Sequence, residues 1–243
     1  MKKEIINKIS PTNASQAYIK NIKDEIIDKQ ASMLFDDLNW IELKGISRDK
    51  TELFPILLTG EGEKILLLHG FDSCFLEYRR LIPFLKNNYK LIIPDLYGFG
   101  FCPRSMENKY GFKYLIKHLN SILNCFSGKD PIGIIGASMG GALALELARQ
   151  NPEKINKLLL LSPAGLAGQN PKIPWPLNHL GVFFLSQPCV RRGLCRQAFA
   201  DPTKSVGAAE EQIASIHLKV PGWQSSLAEF AAKGGVSNCG IPK

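Results

Sequence analysis

Between Pro131 and Pro152 the chain reads PIGIIGASMGGALALELARQNP, a short apolar run that passes through Gly136-Ala137-Ser138-Met139-Gly140 straight into a helical pattern. The apolar run bounded by Pro131 predicts a buried strand. Leu143, Leu145, Leu147 and Ala148, interspersed with Glu146 and Arg149, predict a helix that closes at Asn151-Pro152. Ser138 therefore falls on a sharp strand-to-helix turn. Gly136 and Gly140, two positions before and two after it, are what such a turn requires, because a side chain at either place would collide with the neighbouring strand or helix. The turn pushes the hydroxyl out beyond the sheet. The first N–H groups of the following helix lack intrahelical acceptors and point toward the same space. One segment thus supplies a nucleophile and a donor for a developing oxyanion. The bland alternative is a tight turn with no chemical role, and the strand before and helix after the motif weigh against it.

Other segments converge on the same place. Lys64 to Leu68 (KILLL) predicts a second buried strand, ending in the loop His69-Gly70-Phe71-Asp72-Ser73, which could donate a second N–H. Tyr89 to Pro94 (YKLIIP) predicts a third, ending in Asp95-Leu96-Tyr97-Gly98-Phe99-Gly100. Between them Tyr78 to Leu85 reads as a helix interrupted by Pro83, and Lys157 to Leu161 adds a further strand. Residues 14 to 35 read as one amphipathic helix, with Ile19, Ile22, Ile26 and Ile27 on one side. Trp40 to Ile46 and Leu53 to Thr59 read as two antiparallel entry strands. Strands alternating with helices predict an α/β fold: a mostly parallel sheet with helices on both faces, its active site in loops at the carboxyl ends of the strands.

By His69-Gly70-Phe71, by Asp95 to Gly100 and by Gly136 to Gly141, in that order, the chain resembles the α/β-hydrolase family over about residues 40 to 165. The resemblance implies Ser138 as catalytic nucleophile and the backbone N–H groups of Phe71 and Met139 as the oxyanion hole. It makes His69 a loop-shaping residue and Asp95 a structural one. It divides the chain into an N-terminal helical extension (1–38), a hydrolase core (39–164), a helical cap (165–238) and the entry to a next core strand (239–243). In the family the triad acid and histidine follow later strands. No strand pattern ending in Asp and no late histidine occurs here, which implies a chain that stops before them, an inactive fragment whose Lys157 to Leu161 strand is an exposed apolar edge. Ser138, Asp201 and His217 satisfy the expected order. However, Asp201-Pro202-Thr203 reads as a helix start with Asp201 as N-cap, and His217, like His118, lies in a helical stretch as a surface or boundary residue. Relatives that open epoxides or displace halides use aspartate at the elbow, so serine leaves ester, thioester or carbon–carbon bond hydrolysis.

Composition bounds the rest. At 243 residues and 45% hydrophobic content the chain can bury one core with an elaboration. Six cysteines at unrelated spacings, with no Cys-x-x-Cys pair, predict neither a zinc site nor a disulfide framework and fit a reducing compartment, so a cytoplasmic protein is expected. No apolar run reaches the length of a membrane span, which argues against stable membrane insertion. The net charge of +8 is not concentrated in a stripe of basic and aromatic residues, which argues against a nucleic-acid partner. Residues 165 to 243 carry eight Lys or Arg against four Asp or Glu, which leaves open a weak attraction to an anionic membrane or an acidic substrate group. The expected partner is a small hydrophobic molecule. Trp175, Phe183, Phe184, Phe199, Trp223 and Phe230 could line an apolar chamber above Ser138 or pack the cap onto the sheet. The expected chemistry is acyl transfer with no metal and no cofactor, and the competing expectation is a binding protein that keeps the pocket without a triad. The oligomeric state is open.

Overall fold

Six runs rich in Leu and Ile form the strands β1 (Leu38–Lys44), β2 (Thr51–Thr59), β3 (Glu63–Leu68), β4 (Tyr89–Pro94), β5 (Ile132–Ala137) and β6 (Ile155–Leu161). The computed structural model describes residues 11–128, 130–165 and 171–236. Residues 239–243, expected to begin a further strand, and residues 1–10 lie outside them. The strands join in the order β1-β2-β4-β3-β5-β6. β1 and β2 pair antiparallel, as do β2 and β4, whereas β4, β3, β5 and β6 run parallel. This is the mostly parallel α/β sheet that the alternation of elements predicts.

Period-two alternation divides the side chains between two faces. Leu66, Leu68, Ile92 and Ile134 pack with Leu115, Leu119 and Leu123 of α4 (Phe112–Phe126) and with Ala142, Leu143 and Leu147 of α5 (Met139–Gln150). Leu57, Leu67, Leu91, Ile93 and Ile135 face the other way, onto Ile22, Leu34, Phe75 and Ile82. These come from α1 (Pro11–Ile22), α2 (Lys29–Leu34), the 3₁₀ turn Phe75–Tyr78 and α3 (Ile82–Leu85). A second helical group follows β6: α6 (Leu177–Ser186), α7 (Pro188–Gln197), α8 (Pro202–Ser205), α9 (Ala208–Ile213) and α10 (Trp223–Ala232), with a 3₁₀ turn at Ile216–Lys219.

Two expected elements differ. The single helix over 14–35 is broken, because Asp28 caps a new helix by accepting from Gln30 N (3.0 Å) and Ala31 N (3.2 Å) after Ile26 turns extended. Ile22 and Ile26 of its apolar stripe are buried, and Ile27 is exposed. Pro83 starts a short helix rather than interrupting one, since it stands in the first turn of α3, where a missing N–H removes no intrahelical bond. β6 is an edge strand of the described sheet, with Leu158, Leu159 and Leu161 exposed.

Candidate active site

Ser138 joins β5 to α5 at φ +50 and ψ −117, a backbone region that costs a non-glycine residue about 1–3 kcal/mol. Four hydrogen bonds hold it there. Its N–H donates to Leu161 O (2.9 Å), and its carbonyl accepts from Gly141 N (3.0 Å), Ala164 N (3.0 Å) and Ala142 N (3.4 Å). A Cβ on Gly136 would stand 2.4 Å from Gly140 O, and one on Gly140 would stand 2.0 Å from Leu68 O, so the helix start lies against both β5 and the end of β3. The serine is exposed, and buried Met139 occupies the first helical position, where its N–H has no intrahelical acceptor.

The loop after β3 borders the serine. A Cβ on Gly70 would stand 3.6 Å from Ser138 Cβ and 3.4 Å from Glu77 Oε2. Gly70 N donates to both Glu77 oxygens, at 2.9 and 3.2 Å. Burial raises the Glu77 pKa, against hydrogen bonds from Gly70 N and the Ser73 side chain. His69 Nδ1 donates to Gly70 O (2.8 Å), and its Nε2 accepts from Leu96 N (3.0 Å), which fixes the tautomer. Burial pushes the ring down to about 4, so it shapes the loop as a neutral group. Asp95 accepts from Phe75 N (2.6 Å) and Phe101 N (2.5 Å), and burial pushes its carboxyl up to about 7. Both residues tie neighbouring loops together.

Ser138 and Phe71 line one cavity of about 450 Å³, with Gly70, Ser73 and Glu77 below and Cys195, Phe199, Ile213 and Ala214 of the later helices above. That volume suits a small organic molecule. Of the six aromatic residues expected to form a chamber, Phe199 lines this cavity. Trp223 and Phe230 are buried in the core packing, and Trp175, Phe183 and Phe184 point outward, 78%, 55% and 54% exposed. For Phe183 and Phe184 the helical periodicity of residues 177–186 explains the difference, since Asn178 and Val182 take the inward face of α6.

The histidines after and before the serine correct another expectation. His217 is fully buried, not a boundary residue, and its Nε2 donates to Asp72 Oδ1 (3.1 Å). His118 is also fully buried, against Phe54 and Tyr97, and burial pushes it down to about 3. Asp201 caps α8 through Lys204 N (3.3 Å), as expected, and is not paired with His217. The residue that gathers His217 is Asp72, whose carboxylate also accepts from Trp223 Nε1 (2.8 Å) and Arg191 Nη1 (2.6 Å). Burial alone would raise its pKa, but His217, Arg191 and Trp223 outweigh this and hold the carboxyl well below the usual range. Sequence reasoning missed Asp72 and Glu77. An acid directly after His-Gly-Phe was the available signal for Asp72. Its partners lie more than a hundred positions away in sequence, so no spacing could reveal them. Among the described residues no group of three or more His, Cys, Asp or Glu could hold a metal ion, and no helix is long and apolar enough to cross a membrane.

The sequence and the fold have known counterparts. The chain is 32% identical over 111 residues to the 2-hydroxy-6-oxo-2,4-heptadienoate hydrolase of Pseudomonas putida, an alignment covering 44% of this chain and 40% of that protein. It is 30% identical over 158 residues to the magnesium-chelatase 30 kDa subunit of Rhodobacter capsulatus, covering 64% and 50%. These matches span half or less of the relatives' own length. Among solved structures it superposes on the 2-hydroxy-6-oxo-6-phenylhexa-2,4-dienoate hydrolase of a Rhodococcus strain with a TM-score of 0.64 and 25% identity, over 84% of this chain and 76% of that one. The family model for the alpha/beta hydrolase fold matches residues 64–186, from β3 through the serine turn to the end of α6, and the chain belongs to that family.

Proposed function

We propose that the protein is a serine hydrolase acting on the carbonyl group of a small, largely apolar ester, thioester or carbon–carbon substrate. Ser138 is the nucleophile, and the N–H groups of Phe71 and Met139 hold the oxyanion. The observation that carries the reading is the strained, exposed Ser138 at the start of α5, lining one cavity with Phe71. Residues 165–238 act as its cap, supplying the cavity's upper wall. The chemistry asks for no metal and no organic cofactor, and a small molecule is the partner.

Ser138 needs a base to be nucleophilic at neutral pH. Of the four histidines, His69, His118 and His217 are each buried or bonded elsewhere, and exposed His179 on α6 does not line the Ser138 cavity. That observation favours a second reading for the 243-residue chain, a binding protein that keeps the cavity without turnover. A fluorophosphonate probe separates the two. Stoichiometric labelling that disappears in S138A is the result expected of the hydrolase. No labelling at all would favour the binding protein, and labelling that persists in S138A would rule out Ser138 as nucleophile.

A further inference from the structure

Asp72 takes no part in the hydrolysis described above, yet its carboxylate gathers three side-chain donors from residues more than a hundred positions away. It stands at φ +47 and is 6% exposed. One oxygen takes His217 Nε2 and Trp223 Nε1, and the other takes Arg191 Nη1. These three donors come from α7, the 3₁₀ turn Ile216–Lys219 and α10, three separate elements of the later helical group. Arg191 also donates through Nη2 to Ala214 O. Phe71 and Ser73, the immediate neighbours of Asp72, line the cavity from below, and Ala214 lines it from above. The carboxylate therefore bridges the two walls of one cavity through Arg191.

The arrangement assigns Asp72 a positioning role: its carboxylate locks the Gly70–Ser73 loop to the cap, so that the Phe71 N–H keeps its place only while the cap is seated. The catalytic half of this inference rests on the reading of Phe71 as an oxyanion donor, and the mechanical half stands on the contacts alone. A positive φ is tolerated best by glycine. If Asp72 served only to make the turn, D72G would keep or improve the loop. If it is the lock, D72G keeps the turn and loses the cap. W223F removes one donor of three, which provides a milder lesion should D72G fold poorly.

The test is amide hydrogen exchange on the 243-residue chain, with D72G, D72N and W223F beside the parent. Exchange at residues 70–74 and 214–223 should rise by about tenfold or more in D72G and less in D72N and W223F, while amides of β3, β4 and β5 keep parental protection. A general loss of packing would move the sheet amides as well. Unchanged exchange at 70–74 in both D72G and W223F would overturn the proposal, whatever the activity. Turnover of a p-nitrophenyl ester adds the catalytic arm, where D72G should lower kcat by roughly 100-fold with KM little changed, as for loss of an oxyanion donor, and D72N should recover part of it. Loosened exchange with kcat unchanged would overturn the link to Phe71. A parent chain without turnover or probe labelling would favour the binding-protein reading of these 243 residues instead, and the exchange data would still decide the lock.

Discussion

Gly140→Ala adds one carbon where the structure has no room for it. The new Cβ would stand 2.0 Å from Leu68 O and 2.6 Å from His69 O, whereas ordinary contact begins at 3.4 Å. The first turn of α5 and the end of β3 must then separate by about 1.4 Å, and both obstacles are backbone, which cannot rotate away. Overpacking of a well-filled core costs about 1–3 kcal/mol, and a clash with fixed backbone belongs at the top of that range. At about 2–4 °C per kcal/mol for a chain of this size, G140A should melt roughly 6–12 °C below the parent. The internal controls are Gly181 in α6 and Gly193 in α7, where a Cβ meets nothing within 4 Å. There the same substitution removes unfolded-state freedom and should stabilise by about 0.4–1 kcal/mol. Thermal unfolding of the three variants followed by circular dichroism gives opposite signs for one chemical change. A G140A protein that melts within about 1 °C of the parent would refute the claim that α5 is seated directly against β3.

Other consequences follow from single groups. His118 is fully buried with neither ring nitrogen partnered among the described residues, so H118L should stabilise by about 1–2 kcal/mol in urea unfolding at pH 7. Because its folded-state value is pushed down to about 3, the unfolded chain takes up the proton first as pH falls below about 6.5. The parent should lose up to about 1.4 kcal/mol per pH unit from this site over that window, a slope H118L should lack. Asp72 acts in the same direction over a lower window: its carboxyl is depressed in the folded state, so its stabilisation is present above the unfolded value near 4 and fades as pH falls below it. D72N should therefore cost about 3–5 kcal/mol at pH 7 and progressively less below about pH 4, by the midpoint of chemical unfolding. On exposed β6, L159K should lower concentration-dependent association of the chain in sedimentation velocity, and equal association of parent and variant would count against pairing through that edge.

What could be read before the structure was whatever local chemistry dictates. β4 spans Tyr89 to Pro94 as expected, and the turn at Ser138 lies where the glycines require it, because periodicity and steric exclusion act within a few residues. Asp201 caps α8 for the same reason. Most of the failures share the opposite character. The burial of His217 is decided by what packs over it from elsewhere in the chain, whereas His118 falls on the apolar stripe of α4, three after Leu115 and four before Ile122, a signal the sequence carried. The outward display of Phe183 and Phe184 depends on which face of α6 meets the core, and composition carries no trace of that choice. The Asp72 cluster assembles four residues from four elements, and only the fold brings them together.

Five consecutive residues after β3 carry most of the candidate site's order, and between them they are tied to four different parts of the molecule. His69 holds the loop after β4, Gly70 is held by Glu77, Phe71 and Ser73 line the cavity, and Asp72 holds the later helices. The serine is fixed by a separate device, the glycine-lined turn into α5. Gly140 is where the two devices touch, since its open side abuts Leu68 and His69, the residues that launch the loop. A catalytic arrangement tolerates displacement of about 0.5 Å, and a shift near 1 Å can cost about 100-fold in rate. The 1.4 Å separation required by alanine at Gly140 exceeds both. A G140A protein that still folds at low temperature should therefore lose at least about 100-fold in Ser138 labelling if Ser138 and the Phe71 N–H act as proposed, because the two would no longer share one reference point.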